Sequence, residues 1–365
     1  MTLSIEQEKA LKEVDQWLKK SDQQVFRLFG FAGTGKTTLA KYFAENLDKK
    51  TLFATFTGKA ALVLRKKGCF GASTIHNLIY KLEEDINGKL SFSLSDESKL
   101  SGAGLLVVDE CSMVNAEIGE DLLSFGVKIL VLGDPFQLPP VSGAGFFTEC
   151  EPDFLLREIH RQAKDNPIIK LASDVRTGKG LNYGVYGSSK VVKRLDPECS
   201  PKSLLEYDQV IVGKNVTRSS FNNWFRKQLR FEGELPLEND KVICLRNNHS
   251  MGLLNGSLWK VTASRLDPSD CRFSMLNLIS DDEKVKQTDV RTHNSIFQGD
   301  DLDYKNRKDG NEFDYGYAIT CHKAQGSQWD SVFIVDESQV FRQNADRWLY
   351  TAITRAAESV VIRKS

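Results

Sequence analysis

"VFRLFGFAGTGKTTLAKYFAENL", Val25 to Leu47, decides the fold. It opens with an apolar run, Val25 to Phe29, passes through a glycine-rich turn, and continues with apolar residues at helical spacing. Gly30, Gly35, Lys36 and Thr37 satisfy G-x-x-x-x-G-K-[ST] in the strand, turn, helix context that gives this motif its meaning. Glycines there let backbone N–H groups converge on phosphate oxygens at a helix N-terminus, and Gly33, Thr34 and Thr38 complete the predicted cradle. Lys36 brings a point charge, and the Thr37 hydroxyl is an expected ligand for Mg²⁺.

Two further apolar runs end in carboxylates. In "GLLVVDECSM", Leu105 to Val108 read as a fully buried parallel strand that delivers Asp109 and Glu110 to its end. Asp109 is the expected metal-side carboxylate, and Glu110 the group that orients or deprotonates an attacking water. "KILVLGDPFQLPPV" repeats the pattern: Ile129 to Leu132 form the strand, and Asp134 and Gln137 follow at the edge where open α/β sheets bind ligands. Gln137 is read as a sensor of the terminal phosphate, passing its presence to the Pro139-Pro140 segment. A solvated strand end is the bland alternative for each carboxylate.

The chain has 365 residues, enough for two or three domains, with 41% hydrophobic and 27% charged content. No apolar run approaches the roughly 20 residues of a membrane helix, and the N-terminus reads as an amphipathic helix and not as a secretory signal. A cytoplasmic protein is expected. Seven cysteines at long intervals, without a C-x-x-C pair, argue against a disulfide framework and a structural zinc site. Formal net charge is zero, so a polyanionic partner has to be held in a local groove.

"GFAGTGKTT", "ATFTGKAA", "STIHNLI", "VVDECSM", "GDPFQLPPV", "EIHRQ", "YAITCHKAQGSQWDSV" and "YTAITRA" stand in one order along the chain. That order resembles superfamily 1 helicases of the 5′-to-3′ branch, the RecD and Dda group, over nearly the whole sequence. The resemblance implies an α/β chain with two RecA-like P-loop domains built on parallel sheets, ATP and Mg²⁺ between them, and single-stranded DNA across their tops. By the same resemblance Gln7 reads adenine, and Arg161 and Arg355 neutralise the γ-phosphate. Gln325 and Gly326 lie near the phosphates, with His322, Lys323 and Ser327 near the strand. Thr55, Thr57, Lys59, Ser73, His76 and Pro140 are further expected strand contacts, being hydroxyls, a cation, an imidazole and a proline at matching positions. His76 also reads as a packed core histidine. Arg65, Lys66 and Lys67 are read as a solvated helix end and left outside the site.

Two insertions are expected. Asn87-Gly88 and the alternation in "KLSFSLS" signal a hairpin at about residues 81–100, where the resemblance implies a wedge with Phe92 at the fork; Phe92 also reads as a simple anchor. Residues 235–314 alternate like the short strands of a small barrel, and the resemblance implies an SH3-like subdomain with Asn255 on the strand. The expected domains are thus 1–155, then 156–234 with 315–365, with 235–314 inserted. The ending soon after "AITRAAESVVIRKS" suggests a compact motor without an accessory nuclease. The expected activity is ATP-dependent translocation and unwinding on single-stranded DNA and duplex forks, by a monomer in a bacterial or phage replication or repair setting. An ATP-switched strand-binding protein without unwinding is the alternative, and a small-molecule kinase on the same P-loop is a third reading that leaves the later motifs unexplained.

Overall fold

The computed structural model describes residues 3–46, 50–84, 90–95, 98–139, 145–159, 165–281, 285–300 and 309–364. The chain divides into two compact units, one of residues 1–180 with 346–354 and a second of 181–345 with 355–365. The first division therefore falls after Gly180, later than the boundary expected at residue 155, and one C-terminal helix belongs with the first unit.

In the first unit the helices are α1 (Ile5–Lys20), α2 (Lys36–Asn46), α3 (Gly58–Lys66), α4 (Ile75–Ile79), α5 (Ala116–Ser124) and α6 (Pro167–Arg176). The strands are β1 (Val25–Gly30), β2 (Thr51–Thr55), β3 (Ser73–Thr74), β4 (Tyr80–Glu84), β5 (Leu90–Leu94), β6 (Leu105–Asp109), β7 (Ile129–Gly133) and β8 (Phe154–Leu156). Six of them form a sheet in the order β3-β2-β6-β7-β1-β8, with every pair parallel. β6 and β7 are buried along their whole length, as their unbroken apolar runs predict for strands covered on both faces. Phe26 and Leu28 face a core with Ala10, Val14 and Trp17 of α1, whereas Phe29 joins Ile75, Ile118 and Phe147 on the other face. Each such side chain contributes about 1.5–3 kcal/mol of burial. β4 and β5 pair antiparallel as a separate ribbon, with Leu82 opposite Phe92. The Asn87-Gly88 turn and the side chain of Phe92 lie outside the described residues.

α1 starts where Ser4 accepts a hydrogen bond from the Gln7 amide and Gln7 Oε1 accepts one from the Ser4 amide. This reciprocal cap satisfies two of the four amides a helix start leaves open. Its buried face repeats at Gln7, Ala10, Val14 and Trp17, which sets α1 against the sheet.

The second unit carries β9 (Gly184–Tyr186), β10 (Ser189–Val192), α7 (Pro201–Leu204), β11 (Gln209–Val212), α8 (Asn215–Gln228), β12 (Lys241–Cys244), β13 (Leu258–Leu266), β14 (Phe273–Ser280), β15 (Lys286–His293), α9 (Asn294–Gln298), β16 (Phe313–Tyr315), β17 (Ala318–Thr320), α10 (Cys321–Ala324), β18 (Trp329–Val335) and β19 (Ala356–Arg363). α11 (Ala345–Ile353) lies between the last two, and its residues from 346 onward group with the first unit. A sheet of order β17-β11-β18-β19-β10-β9 is parallel except for the β9 edge. β15-β14-β13-β12-β16 is a five-stranded antiparallel sheet with its own core around Trp259, Leu276 and Phe313.

Buried polar groups tie the two sheets of this unit to α8. Asn222 donates to the Tyr315 and Ala318 carbonyls at 2.9 and 3.2 Å and accepts from the Ala318 amide at 2.7 Å. Arg226 reaches Asp240 at 3.1 Å and the Gly233 and Leu235 carbonyls at 2.6 and 2.9 Å. Tyr317 donates its hydroxyl to the same Asp240 at 2.8 Å.

Candidate functional site

Parallel strands put their C-terminal ends on one edge of the first sheet. Phe29 stands in register with Gly133, and Thr55 with Asp109, so the turns after β1, β2, β6 and β7 share that edge. The turn after β1 takes left-handed φ values of 80° at Gly33 and 83° at Gly35, which side chains disfavour. Gly30 is fixed by space: a Cβ there would lie 2.5 Å from Thr34 Oγ1 and 2.9 Å from Leu156 Cβ. Lys36 Nζ donates to the Gly30 and Phe31 carbonyls at 2.6 and 3.1 Å, which holds the ammonium over the loop. Thr37 and Thr38 occupy the first turn of α2. Gln7, 1% exposed, donates Nε2 to the Thr34 carbonyl at 3.1 Å, so the residue expected at adenine also braces the loop.

Asp109 closes β6 and accepts the Glu110 amide at 2.9 Å. Burial, reinforced by the neighbouring Glu110 charge, raises its pKa to about 6, and Lys36 pulls against that rise. Glu110 stands at φ 53° and ψ 43°, a left-handed conformation held at a functional edge. Asp134 follows β7; burial raises its pKa, while Lys36 and a hydrogen bond from Tyr350 oppose that. Asp134 Oδ1 accepts the Phe136 amide at 3.0 Å, and its carbonyl accepts the Gln137 amide at 3.2 Å.

The expected strand contacts of this unit divide. Thr55 is buried and donates Oγ1 to the Thr57 carbonyl at 2.8 Å, and Thr57 caps α3 through the Ala60 amide at 3.2 Å. Lys59, in the first turn of α3, is only 4% exposed. Ser73 lies on β3 opposite Ala54, and the next residue, Thr74, is opposite Thr55. His76 packs edge-on against Phe56 at 5.8 Å and at a tilt against Tyr80 at 5.5 Å, with its pKa lowered by burial. Pro140 and Arg161 lie outside the described residues.

In the second unit, Thr320 caps α10 and the chain then turns through Gln325, Gly326 and Ser327. Gln325, Ser327 and Arg355 are buried, and Arg355 Nη1 donates to the Ser327 carbonyl at 3.3 Å. His322 packs on Phe341 at 5.7 Å. Lys323 Nζ donates to Asn255 Oδ1 at 3.4 Å, so two expected strand contacts from distant sequence meet.

Sequence reading missed Tyr350. Its hydroxyl donates to Asp134 Oδ2 at 2.6 Å and accepts the Ala32 amide at 2.8 Å. The available signal was a tyrosine among the apolar Trp348, Leu349, Ala352 and Ile353 of α11, since a buried phenol needs a partner. Arg176 at the end of α6 was missed as well; its guanidinium lies 3.8 Å over the Phe31 ring of the same loop.

The AAA-domain family profile matches residues 2–196, and the profile of the UvrD-like helicase C-terminal domain matches residues 315–362. The ATP-dependent RecD2 DNA helicase of Deinococcus radiodurans is 26% identical over 91% of this chain and 46% of its own length. The DNA helicase Dda of Enterobacteria phage T4 is 33% identical over 42% of this chain and 38% of its own. The chain belongs to the AAA-domain family, in the superfamily 1 branch of RecD, Dda and Pif1. This superfamily 1 chain thus spans less than half the length of those two relatives, whereas the Pif1 helicase of Bdellovibrio bacteriovorus is 24% identical over 97% of the chain and 85% of its own length. Bacteroides Pif1, solved with single-stranded DNA, shares the fold at a TM-score of 0.60 and 20% identity, covering 99% of the superfamily 1 chain and 92% of its own. Among the described residues no helix is long and apolar enough to cross a membrane.

Proposed function

We propose that this chain is a DNA helicase that hydrolyses ATP to move along single-stranded DNA and part the duplex, in the 5′-to-3′ direction. One observation carries the reading: the Gly30–Thr38 loop, Asp109 and Asp134 converge on one sheet edge around Lys36. The loop amides, Gln7 and Lys36 bind the nucleotide. Glu110 holds the attacking water, and Gln137 responds to the terminal phosphate. Arg161 and Arg355 balance transition-state charge, a role worth about 10³–10⁵ in rate where arginines of this kind act.

Mg²⁺ fits the donors available. Thr37 offers a hydroxyl and Asp109 a carboxylate, the hard oxygen ligands this ion takes alongside phosphates. Burial first, and then the Glu110 charge, raise the pKa of Asp109, and a cation bound at its carboxylate would act in the opposite direction. When bound, the ion supplies charge neutralisation on the phosphate oxygens.

The strand-contact reading rests on Lys323 and Asn255 meeting, with Ser327 tied to Arg355 and His322 packed on Phe341. Thr55, Thr57 and Ser73 serve the first unit, where the buried Thr55 hydroxyl shapes the turn. The β4–β5 ribbon is the proposed wedge, with Phe92 at the fork, and the five-stranded sheet within residues 235–314 is the proposed SH3-like subdomain. Replication or repair is the proposed setting, in the cytoplasm, with the protein acting as a monomer.

The test is ATP hydrolysis without nucleic acid, with single-stranded DNA and with single-stranded RNA at one stated salt concentration, with Lys36→Ala as the blank. Strong DNA stimulation that vanishes in the blank is expected, followed by strand displacement on 5′-tailed but not 3′-tailed duplexes. Turnover indifferent to nucleic acid would overturn the motor reading. Stimulated turnover without displacement would leave a strand-binding switch.

A further inference from the structure

The phenol of Tyr350 stands at the meeting point of two turns that sequence distance keeps apart. It accepts the amide of Ala32, in the phosphate loop, at 2.8 Å and donates to Asp134, in the turn after β7, at 2.6 Å. Its ring is 1% exposed and packs edge-on against Phe136 at 5.3 Å. One residue further along α11, Thr351 Oγ1 accepts the Leu138 amide at 2.9 Å, so the helix is docked on the same turn twice. The hydroxyl uses both its donor and its acceptor capacity on groups that water reaches poorly, and such bonds are costly to leave unmade.

From this geometry we propose that Tyr350 is a positioning residue for phosphate-bond cleavage, which couples the Ala32 amide of the loop to the Asp134–Gln137 turn. The proposal rests on the ATP-hydrolysis reading above. Its logic follows the chain of hydrogen bonds. The phenol bonds Ala32 and Asp134, whereas the nucleotide is to be held by Lys36 and the loop amides from Gly33 onward, so nucleotide affinity should change little when the hydroxyl is lost. Asp134 does depend on it. The Asp134 carbonyl accepts the Gln137 amide at 3.2 Å, so a shift of Asp134 displaces the residue proposed to respond to the terminal phosphate. The defect should therefore fall on turnover and not on binding. Such an effect needs only a misplacement on the order of 1 Å, which costs about 10²-fold in well-ordered sites.

The experiment uses the full chain labelled with ¹⁵N-alanine, with the Ala32 amide assigned by its disappearance in Ala32→Gly, and compares wild type, Tyr350→Phe and Thr351→Val. Tyr350→Phe removes one oxygen and keeps the ring. Thr351→Val loosens the same helix without touching the phenol. The Ala32 amide, read without nucleotide, should shift in Tyr350→Phe and stay in place in Thr351→Val. DNA-stimulated kcat for ATP should fall about tenfold in Tyr350→Phe with KM within twofold, while Thr351→Val stays within twofold on both. An unmoved Ala32 amide in Tyr350→Phe, a KM rise with kcat intact, or equal kcat losses in the two variants would each overturn the proposal. A wild type that turns over no ATP overturns the functional reading and this role with it, and the Ala32 shift then still decides whether the phenol bridge exists.

Discussion

Thr55 and Asp109 are direct partners across the parallel pair of β2 and β6, each the last residue of its strand. A proposed strand contact and a proposed metal-side carboxylate are thus fixed on neighbouring strands of one rigid sheet. Thr55 itself is fully buried, and its hydroxyl is spent on the Thr57 carbonyl, so its effect on DNA has to pass through the turn that starts α3. Thr55→Val should cost about 1 kcal/mol, the usual worth of one intramolecular hydrogen bond. The KM for DNA in stimulated hydrolysis should rise several-fold while the affinity for ADP, measured by calorimetry, stays level.

Gly30→Ala puts a methyl group against Thr34 Oγ1 and Leu156 Cβ. Overpacking of this kind costs about 1–3 kcal/mol. Because one of the two obstacles is a loop residue, nucleotide binding should weaken along with thermal stability. Loss of stability with unchanged nucleotide affinity would mean that β8 yields and the loop does not.

Glu337 accepts the Gly213 and Lys214 amides at 2.8 and 3.0 Å and the Thr217 hydroxyl at 2.7 Å, which caps α8 with a carboxylate. Burial works to raise its pKa, but the Thr217 bond, the two amides and Lys214 outweigh it and bring the pKa below the ordinary value. A depressed carboxylate stabilises the fold fully above its unfolded pKa of about 4.3 and loses that contribution as pH falls through the folded value. Glu337→Gln should therefore lower Tm at pH 7 by an amount corresponding to about 1 kcal/mol, typical of a helix cap. The gap to wild type should begin to close as pH falls below about 4.3 and vanish below the depressed folded value. A gap that is constant across pH would assign the cap to shape alone.

Arg226 and Asp240 form an ion pair with side-chain exposures of 6% and 0%. Arg226→Ala strands a buried carboxylate, an event that costs about 3–5 kcal/mol. Urea unfolding of the full chain should show the loss in the second unit. Adding Asp240→Asn should restore part of it, since the stranded charge is then gone.

Much of the first sheet can be read directly from the chain because β1, β6 and β7 are buried on both faces, so their apolar runs are continuous and their ends are marked by glycine or aspartate. The loop glycines are legible for the same local reason. The bracing role of Gln7 was within reach, since Ser4-Ile5-Glu6-Gln7 is a capping-box pattern, yet the bond to Thr34 joins residues that local spacing does not connect. Lys59 reads as a strand contact, but it lies in the first turn of α3, where Gly58 to Leu62 are all buried, and single-residue chemistry does not report that. For Tyr350 the sequence signals only that a buried phenol needs partners, not which they are. Its partners are at positions 32 and 134, and only the docking of α11 brings them together.

The first unit takes residues 346–354 from the far end of the chain. On the ribosome, at about 5–20 residues per second, the sheet, the phosphate loop and Asp134 emerge roughly 10–60 s before the helix that completes them. Throughout that interval the nascent site has no phenol to bridge Ala32 and Asp134. Synthesis order therefore makes the phosphate loop one of the last parts of the first unit to reach its final form, even though its residues are among the earliest made.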